Sequence, residues 1–117
     1  MSSAKARGAS ADDRLDAIFH ALGSRTRRAL LARLAKRSAM ITELADPFAM
    51  SLPAVSRHIR VLEGAGLVTR SVDGRMHYCS LDPRPFKTIE GWLLHYRKFW
   101  EENLAALAHY VESGEDS

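Results

Sequence analysis

The sequence predicts a mainly helical domain with a small β-hairpin wing, a winged helix-turn-helix, on three observations. Behind Ser51, the residues Leu52, Val55, Ile59 and Leu62 recur at intervals of three and four, so they share one face of a helix. After Gly64 and Gly66 the pattern changes abruptly to LVTRSV, Asp73-Gly74, RMHYCSL: two β-rich runs around a dipeptide favoured in two-residue hairpins. In front stands a short helical stretch carrying Glu43, Leu44 and Ala45 and limited by Pro47, which completes the helix, turn and second helix.

Taken in order, residues 1–11 are Ser, Ala and Gly with two cations, too poor in apolar side chains to fold alone, and read as a flexible N-terminal arm. From residue 12 to 111 the chain reads as one domain. Its first helix starts at Asp12, with Leu15, Ile18, Phe19 and Leu22 on one stripe and Asp12, Asp13 and Asp16 near the positive end of the helix dipole. Gly23 ends it. Ser24 is expected to cap a second helix, RTRRALLARLAK, which turns Leu30, Leu31 and Leu34 inward and leaves Arg25, Arg27, Arg28 and Arg33 as a solvated face in preference to phosphate ligands. Residues 38–41 read as a connection or a single extended segment, and Thr42 as the cap of the short helix.

Behind the hairpin, Asp82, Pro83 and Pro85 break the pattern before a long helix over residues 86–111. At roughly 1.5 Å per residue that helix reaches about 37 Å, longer than so small a domain needs for its own core. Phe86, Ile89, Leu93, Tyr96, Trp100 and Leu107 make one stripe, widened by Trp92, Phe99 and Ala106. A helix apolar on that much of its surface is expected to form a dimer interface. Residues 112–117 read as an acidic tail.

The helix behind Ser51 carries the candidate chemistry. At about 100° per residue, Pro53, Arg57 and Arg60 fall opposite the apolar stripe, with Ala54 and Ser56 on the flanks. Ser51 is the expected N-cap, and Pro53 is tolerated because a first-turn amide has no intrahelical partner to lose. Arg57 points away from the core, where it can fork onto guanine O6 and N7 or onto a phosphate. Ser56 reads equally as a phosphate donor or as a hydroxyl bonded within its own helix. His58 lies beside the stripe and reads as a packed, hydrogen-bonded histidine. Arg70, Arg75 and His77 make the hairpin basic, as phosphate or minor-groove contact requires and as a charge-protected edge strand also would.

Composition agrees with a polyanion partner. The chain has 117 residues, 46% of them hydrophobic, and a formal charge of +3, with a pI of about 9.4. Lys and Arg concentrate in residues 1–37 and in the hairpin, whereas residues 101–117 hold Glu101, Glu102, Glu112, Glu115 and Asp116 and no Lys or Arg. One cysteine, no apolar run of membrane-spanning length and no signal-type apolar stretch make the cytoplasm the default, with no membrane partner.

The segment ITELADPFAMSLPAVSRHIRVLEGAGLVTRSVDGRMHYCSL, with LGSRTRRALLARLA before it and the aromatic helix behind, resembles the ArsR-type winged helix-turn-helix repressors of bacteria over residues 12–111. The resemblance implies a homodimer joined through the first and last helices, here Leu15 and Phe19 with Leu93, Tyr96, Trp100 and Leu107. It implies a partner too: double-stranded DNA at an imperfect inverted repeat, bound so as to repress transcription. The family's groove-facing positions fall at Leu52, Pro53, Ser56 and Arg57, its phosphate contact at Arg60 and its wing tip at Arg75, with Ala54 and Arg70 beside them. Many relatives carry polar side chains where Leu52 and Pro53 stand, so base contact there would be apolar. Release by a small-molecule effector, by a partner protein or by the protein's own concentration is left open.

Many members of that family sense metals, and the expected ligands are missing here. ITELADPF offers no thiolate pair before the recognition helix. His109 and Glu112 supply half of the family's zinc pattern in the last helix, but the other half falls on Lys98 and Tyr96. No complete metal site and no cofactor are expected, and His109 and Glu112 read as solvated. If Asp73-Gly74 is the turn, Cys79 pairs with Val68 and reads as a small packed residue, although Cys79 and His77 share one strand face. With no glycine-rich phosphate loop and no nucleophile beside a base, no enzyme is expected. Two alternatives stay open: a winged-helix protein-interaction adaptor, and a metal- or thiol-responsive sensor with a non-standard site.

Overall fold

The computed structural model describes residues 10–47 and 49–116. Its order is α1 (Ala11–Leu22), α2 (Arg25–Lys36), β1 (Ala39–Met40), α3 (Ile41–Ala45), α4 (Leu52–Gly64), β2 (Val68–Asp73), β3 (Met76–Leu81) and α5 (Arg84–Asp116). Most of the expected N-terminal arm lies outside the described residues. The rest divides at Pro85 into two compact units, a helix-turn-helix and wing body ahead of it and the remainder of α5 behind.

Local sequence sets the helix ends. Ser10 Oγ accepts from the Asp13 amide at 3.1 Å while the Asp13 carboxylate accepts from the Ser10 amide, a reciprocal cap that starts α1 one residue before Asp12. Gly23 closes α1, and Ser24 caps α2 by accepting from the Arg27 amide. Thr42 does not cap α3. That helix begins at Ile41, and its cap is reversed: Glu43 Oε1 accepts from the Met40 amide at 3.0 Å.

Ser51 Oγ accepts from the Ala54 amide and opens α4 with Pro53 in its first turn, as expected. At the other end the Gly66 amide donates to Glu63 O and the Leu67 amide to Leu62 O, both at 2.9 Å. This pairing needs a left-handed residue, and Gly66 supplies it with φ +77°. Leu62 and Leu67, both fully buried, make the apolar contact that accompanies such a stop. Val55, Ile59 and Leu62 expose nothing. Leu52 departs from the stripe: it is 45% exposed, because at the first helical position its side chain leans back past the end of the core.

The three strands lie in the order β1-β3-β2, all antiparallel. The register corrects the expected turn. Asp73 stays in β2 opposite Met76, so Gly74 and Arg75 are the central turn residues, and Gly74 takes φ +63°. A turn centred on Asp73-Gly74 would demand positive φ of both residues, whereas a glycine in first place carries the strain alone. Cys79 therefore faces Arg70, and Val68 faces Leu81. A shift of two positions keeps every side chain on its face, so Cys79 remains buried, in the central strand with Ala39 of β1 on its other side.

The core gathers Ala21, Leu30, Leu31, Leu34, Ala39, Leu44, Val55, Ile59, Leu62, Leu67, Val68 and Cys79. α5 runs 33 residues and continues through the expected acidic tail as far as Asp116, about 50 Å at roughly 1.5 Å per residue. Pro85 sits inside its first turn rather than ahead of it. Because Ile59 is enclosed on all sides, Ile59→Ala should lower unfolding free energy by about 2–5 kcal/mol in a denaturant titration, and an unchanged midpoint would contradict this packing.

Candidate nucleic-acid interface

The fully buried Val55, Ile59 and Leu62 fix the rotation of α4 about its axis. Pro53, Arg57 and Arg60 are therefore exposed together, with Ala54 and Ser56 half-buried at the edges. Neither Arg57 nor Arg60 makes a hydrogen bond or ion pair with the described residues, so two guanidinium groups stand free on one helix face. Arg75 occupies the turn of the wing, whose strands are exposed from Thr69 to His77.

Arg70 has a partner within the protein. Its Nε donates to Glu63 Oε1 at 2.8 Å, tying β2 to the last turn of α4, and its charge is thereby countered. A half-exposed pair of this kind contributes about 0.2–1 kcal/mol, enough to steady the wing but not to dominate stability.

Arg27 and Arg28 also differ from the expected solvated face. Arg27 Nε donates to Ala21 O and its Nη2 to His20 O, both at 2.8 Å, and Arg28 Nη1 donates to Leu22 O at 2.6 Å. These carbonyls lie in the last turn of α1, where helix geometry leaves acceptors over, and His20 O also accepts from the Gly23 amide at 3.2 Å. The sequence held a signal for this: α2 has cations and no acid in its first turn, a poor match to its own dipole but a good one to the negative end of the helix before it. Arg27 Nη1 also lies 3.2 Å from His58 Nδ1. Arginine only donates, so Nδ1 accepts and the ring proton sits on Nε2. Burial, then the charges of Arg27 and Arg57, holds the His58 pKa below its usual 6.5. His58 is thus the packed, hydrogen-bonded residue expected, with a long-range partner that periodicity does not reveal. An open cavity of about 330 Å³ lies here, lined by Arg27, Ala54, Arg57, His58 and Val61.

Below the wing, Asp82 takes three hydrogen bonds from the Arg84 guanidinium at 2.6–3.0 Å and one from the Arg84 amide at 3.0 Å. Those bonds hold its carboxyl below the ordinary range. The Asp82 amide donates to Leu67 O at 2.8 Å, which extends the β2–β3 pairing by one step beyond Val68 and Leu81. Cys79 is enclosed, and burial pushes its thiol pKa up, the opposite of what a reactive thiolate needs. Among the described residues, no three His, Cys, Asp or Glu side chains converge on a position that could hold a metal ion, and no helix is long and apolar enough to cross a membrane.

Comparison with known proteins agrees with this geometry. Residues 22–71 match a helix-turn-helix domain family. The chain is 35% identical over 103 residues to the HTH-type transcriptional regulator Rv2034 of Mycobacterium tuberculosis, covering 87% of this chain and 94% of that protein. It is 27% identical over 79 residues to the transcriptional repressor SdpR of Bacillus subtilis, covering 68% of this chain and 88% of that one. A crystal structure of an ArsR family transcriptional regulator aligns with TM-score 0.72 at 40% identity, over 77% of this chain and 93% of the other.

The depressed His58 pKa has a sign that can be checked. As pH falls below about 6.5 the unfolded chain takes up the imidazole proton before the folded one does, so this contribution to stability is complete above that pH and is lost below it. Denaturant titrations between about pH 7.5 and 5 should show wild-type stability falling more steeply than that of His58→Gln, which keeps an acceptor for Arg27. Parallel slopes for the two proteins would contradict the assignment.

Proposed function

This chain belongs to the ArsR-type winged helix-turn-helix transcriptional regulators, and we propose that it is a homodimeric repressor that lays two copies of α4 into the major groove of an inverted-repeat operator. The wings then contact the flanking backbone or minor groove, and the protein works in the cytoplasm. The observation that carries this reading is the division of α4: one face fully enclosed, the other presenting Arg57 and Arg60 without partners. Arginine offers the fork that matches guanine O6 and N7, and exposed Leu52 and Pro53 add apolar contact of the kind thymine methyls accept. Arg75 at the wing tip supplies charge to a phosphate or a narrow minor groove.

Dimerisation is supported by what one chain leaves uncovered. Leu93, Tyr96, Trp100 and Leu107 on α5 are all exposed, Leu107 by 58%, and Phe19 on α1 by 41%. An apolar surface that extensive is more than a soluble monomer ordinarily presents, and a two-fold partner is the usual way to cover it. Leu15, half-buried, lies one turn before Phe19 on α1. Repression is supported by the likeness to SdpR, which is described as a transcriptional repressor.

Mobility-shift titrations test the assignment of roles. Arg57→Ala should weaken operator binding by about 1–3 kcal/mol and flatten the preference among sequences. Arg75→Ala should weaken binding to all duplexes alike and reduce the slope of log K against log salt by about one. Both variants binding as wild type does would remove α4 and the wing from the interface.

A further inference from the structure

We propose that the open concavity between α2 and α4, lined by Arg27, Ala54, Arg57, His58 and Val61, is a phosphate subsite, and that it receives a backbone phosphate bordering the groove that α4 enters. The inference rests on the reading of α4 as the groove-facing helix and adds a second element, α2, to the DNA contact.

Side chains with hydrogen-bond donors to spare line this space. Three of the five Arg27 N–H groups are committed to His20 O, Ala21 O and His58 Nδ1, which leaves one on each terminal nitrogen. The same three bonds hold the guanidinium in place, so little side-chain freedom remains to be lost when an anion arrives. The His58 proton on Nε2 adds a donor on the ring edge away from Arg27. Ala54, Arg57, His58 and Val61 are spaced three and four apart along one side of α4, so Arg57 stands at the rim and Ala54 and Val61 form apolar walls.

Charge points the same way. The charged groups that act on the His58 ring are Arg27 from α2 and Arg57 from α4 itself, and no carboxylate among the described residues of α1, α3 or β2 offsets them. The nearest acid on α4, Glu63, is paired with Arg70 and lies about 140° around the helix from His58. Two cations held beside a neutral imidazole repel one another, and an anion between them removes the repulsion. The wide mouth suits a group carried past on a polymer better than a small molecule that must be enclosed.

The test reads the His58 imidazole by proton NMR across a pH series on the full chain, with His95 and His109 of α5 as internal references. It is run alone, with inorganic phosphate, and with the tightest duplex recovered from a random pool. In the duplex complex the His58 pKa is expected to rise by about one unit or more. Replacing operator phosphates one at a time by neutral methylphosphonates should cancel that rise at a single position per half-site. A rise with inorganic phosphate but not with the duplex would assign the subsite to free phosphate and overturn the backbone source. No rise with either, in a complex that forms normally, overturns the subsite and leaves the regulator standing; so does a rise shared evenly over all phosphate positions. If no duplex binds at all, both the subsite and the operator reading fail.

Discussion

The enclosure of one face of α4 is the constraint from which the rest follows. Val55, Ile59 and Leu62 have no surface left to expose, and a helix of about 3.6 residues per turn that hides these three positions has no choice about which side faces outward. Turning α4 to hide Arg57 would pull three apolar side chains into water, at roughly 1.5–3 kcal/mol for each. The guanidinium groups are presented by the core, and no contact of their own is needed to aim them. Gly66 matters for the same reason: by stopping α4 in a left-handed turn it sends Leu67 back into the core and starts β2 at the right point to hang the wing from the helix.

A second set of restraints holds α4 against its neighbours through polar contacts between elements. Arg27 joins the last carbonyls of α1 to the ring of His58, Arg70 joins β2 to Glu63, and the Asp82 amide joins the end of β3 to Leu67. Each ties an element to α4 or its C-terminal stop, which a DNA-reading helix requires if its side chains are to meet base edges within a few tenths of an ångström. The arginines of this chain thus divide by role. Arg28, Arg70 and Arg84 make their contacts within the protein, Arg27 does so while keeping two N–H groups uncommitted, and Arg57, Arg60 and Arg75 have no hydrogen-bond or ion-pair partner among the described residues.

That division marks where sequence reasoning reached and where it stopped. Helix order, the Ser24 and Ser51 caps, the buried leucines of α2 and the basic wing all followed from apolar spacing and cap chemistry, which are local. The structural arginines did not, because a guanidinium reaching six or seven residues back, or across to another helix, leaves no periodic trace. Leu52 satisfied the spacing of the stripe and still escaped burial, since position in a turn decides burial at a helix end. The hairpin partners moved by two because either Asp73-Gly74 or Gly74-Arg75 fits a two-residue turn, and only the backbone shows which residue carries positive φ. α5 outran its apolar stripe, passing through Gly114 to Asp116, so a late glycine does not end it.

What the single chain leaves unfinished is a functional statement as well. Its basic face and its exposed aromatic helix suit different kinds of partner, a polyanion for one and an apolar surface for the other, and the proposed two-fold dimer on DNA would provide both at once. Selection of bound duplexes from a random pool tests this most directly. The expected result is a two-fold symmetric consensus whose half-sites lie one helical turn apart, about 34 Å, or a multiple of it. A pool that yields no enriched sequence, or an unsymmetric one, would contradict the reading of α4 as one of a pair of groove-bound helices.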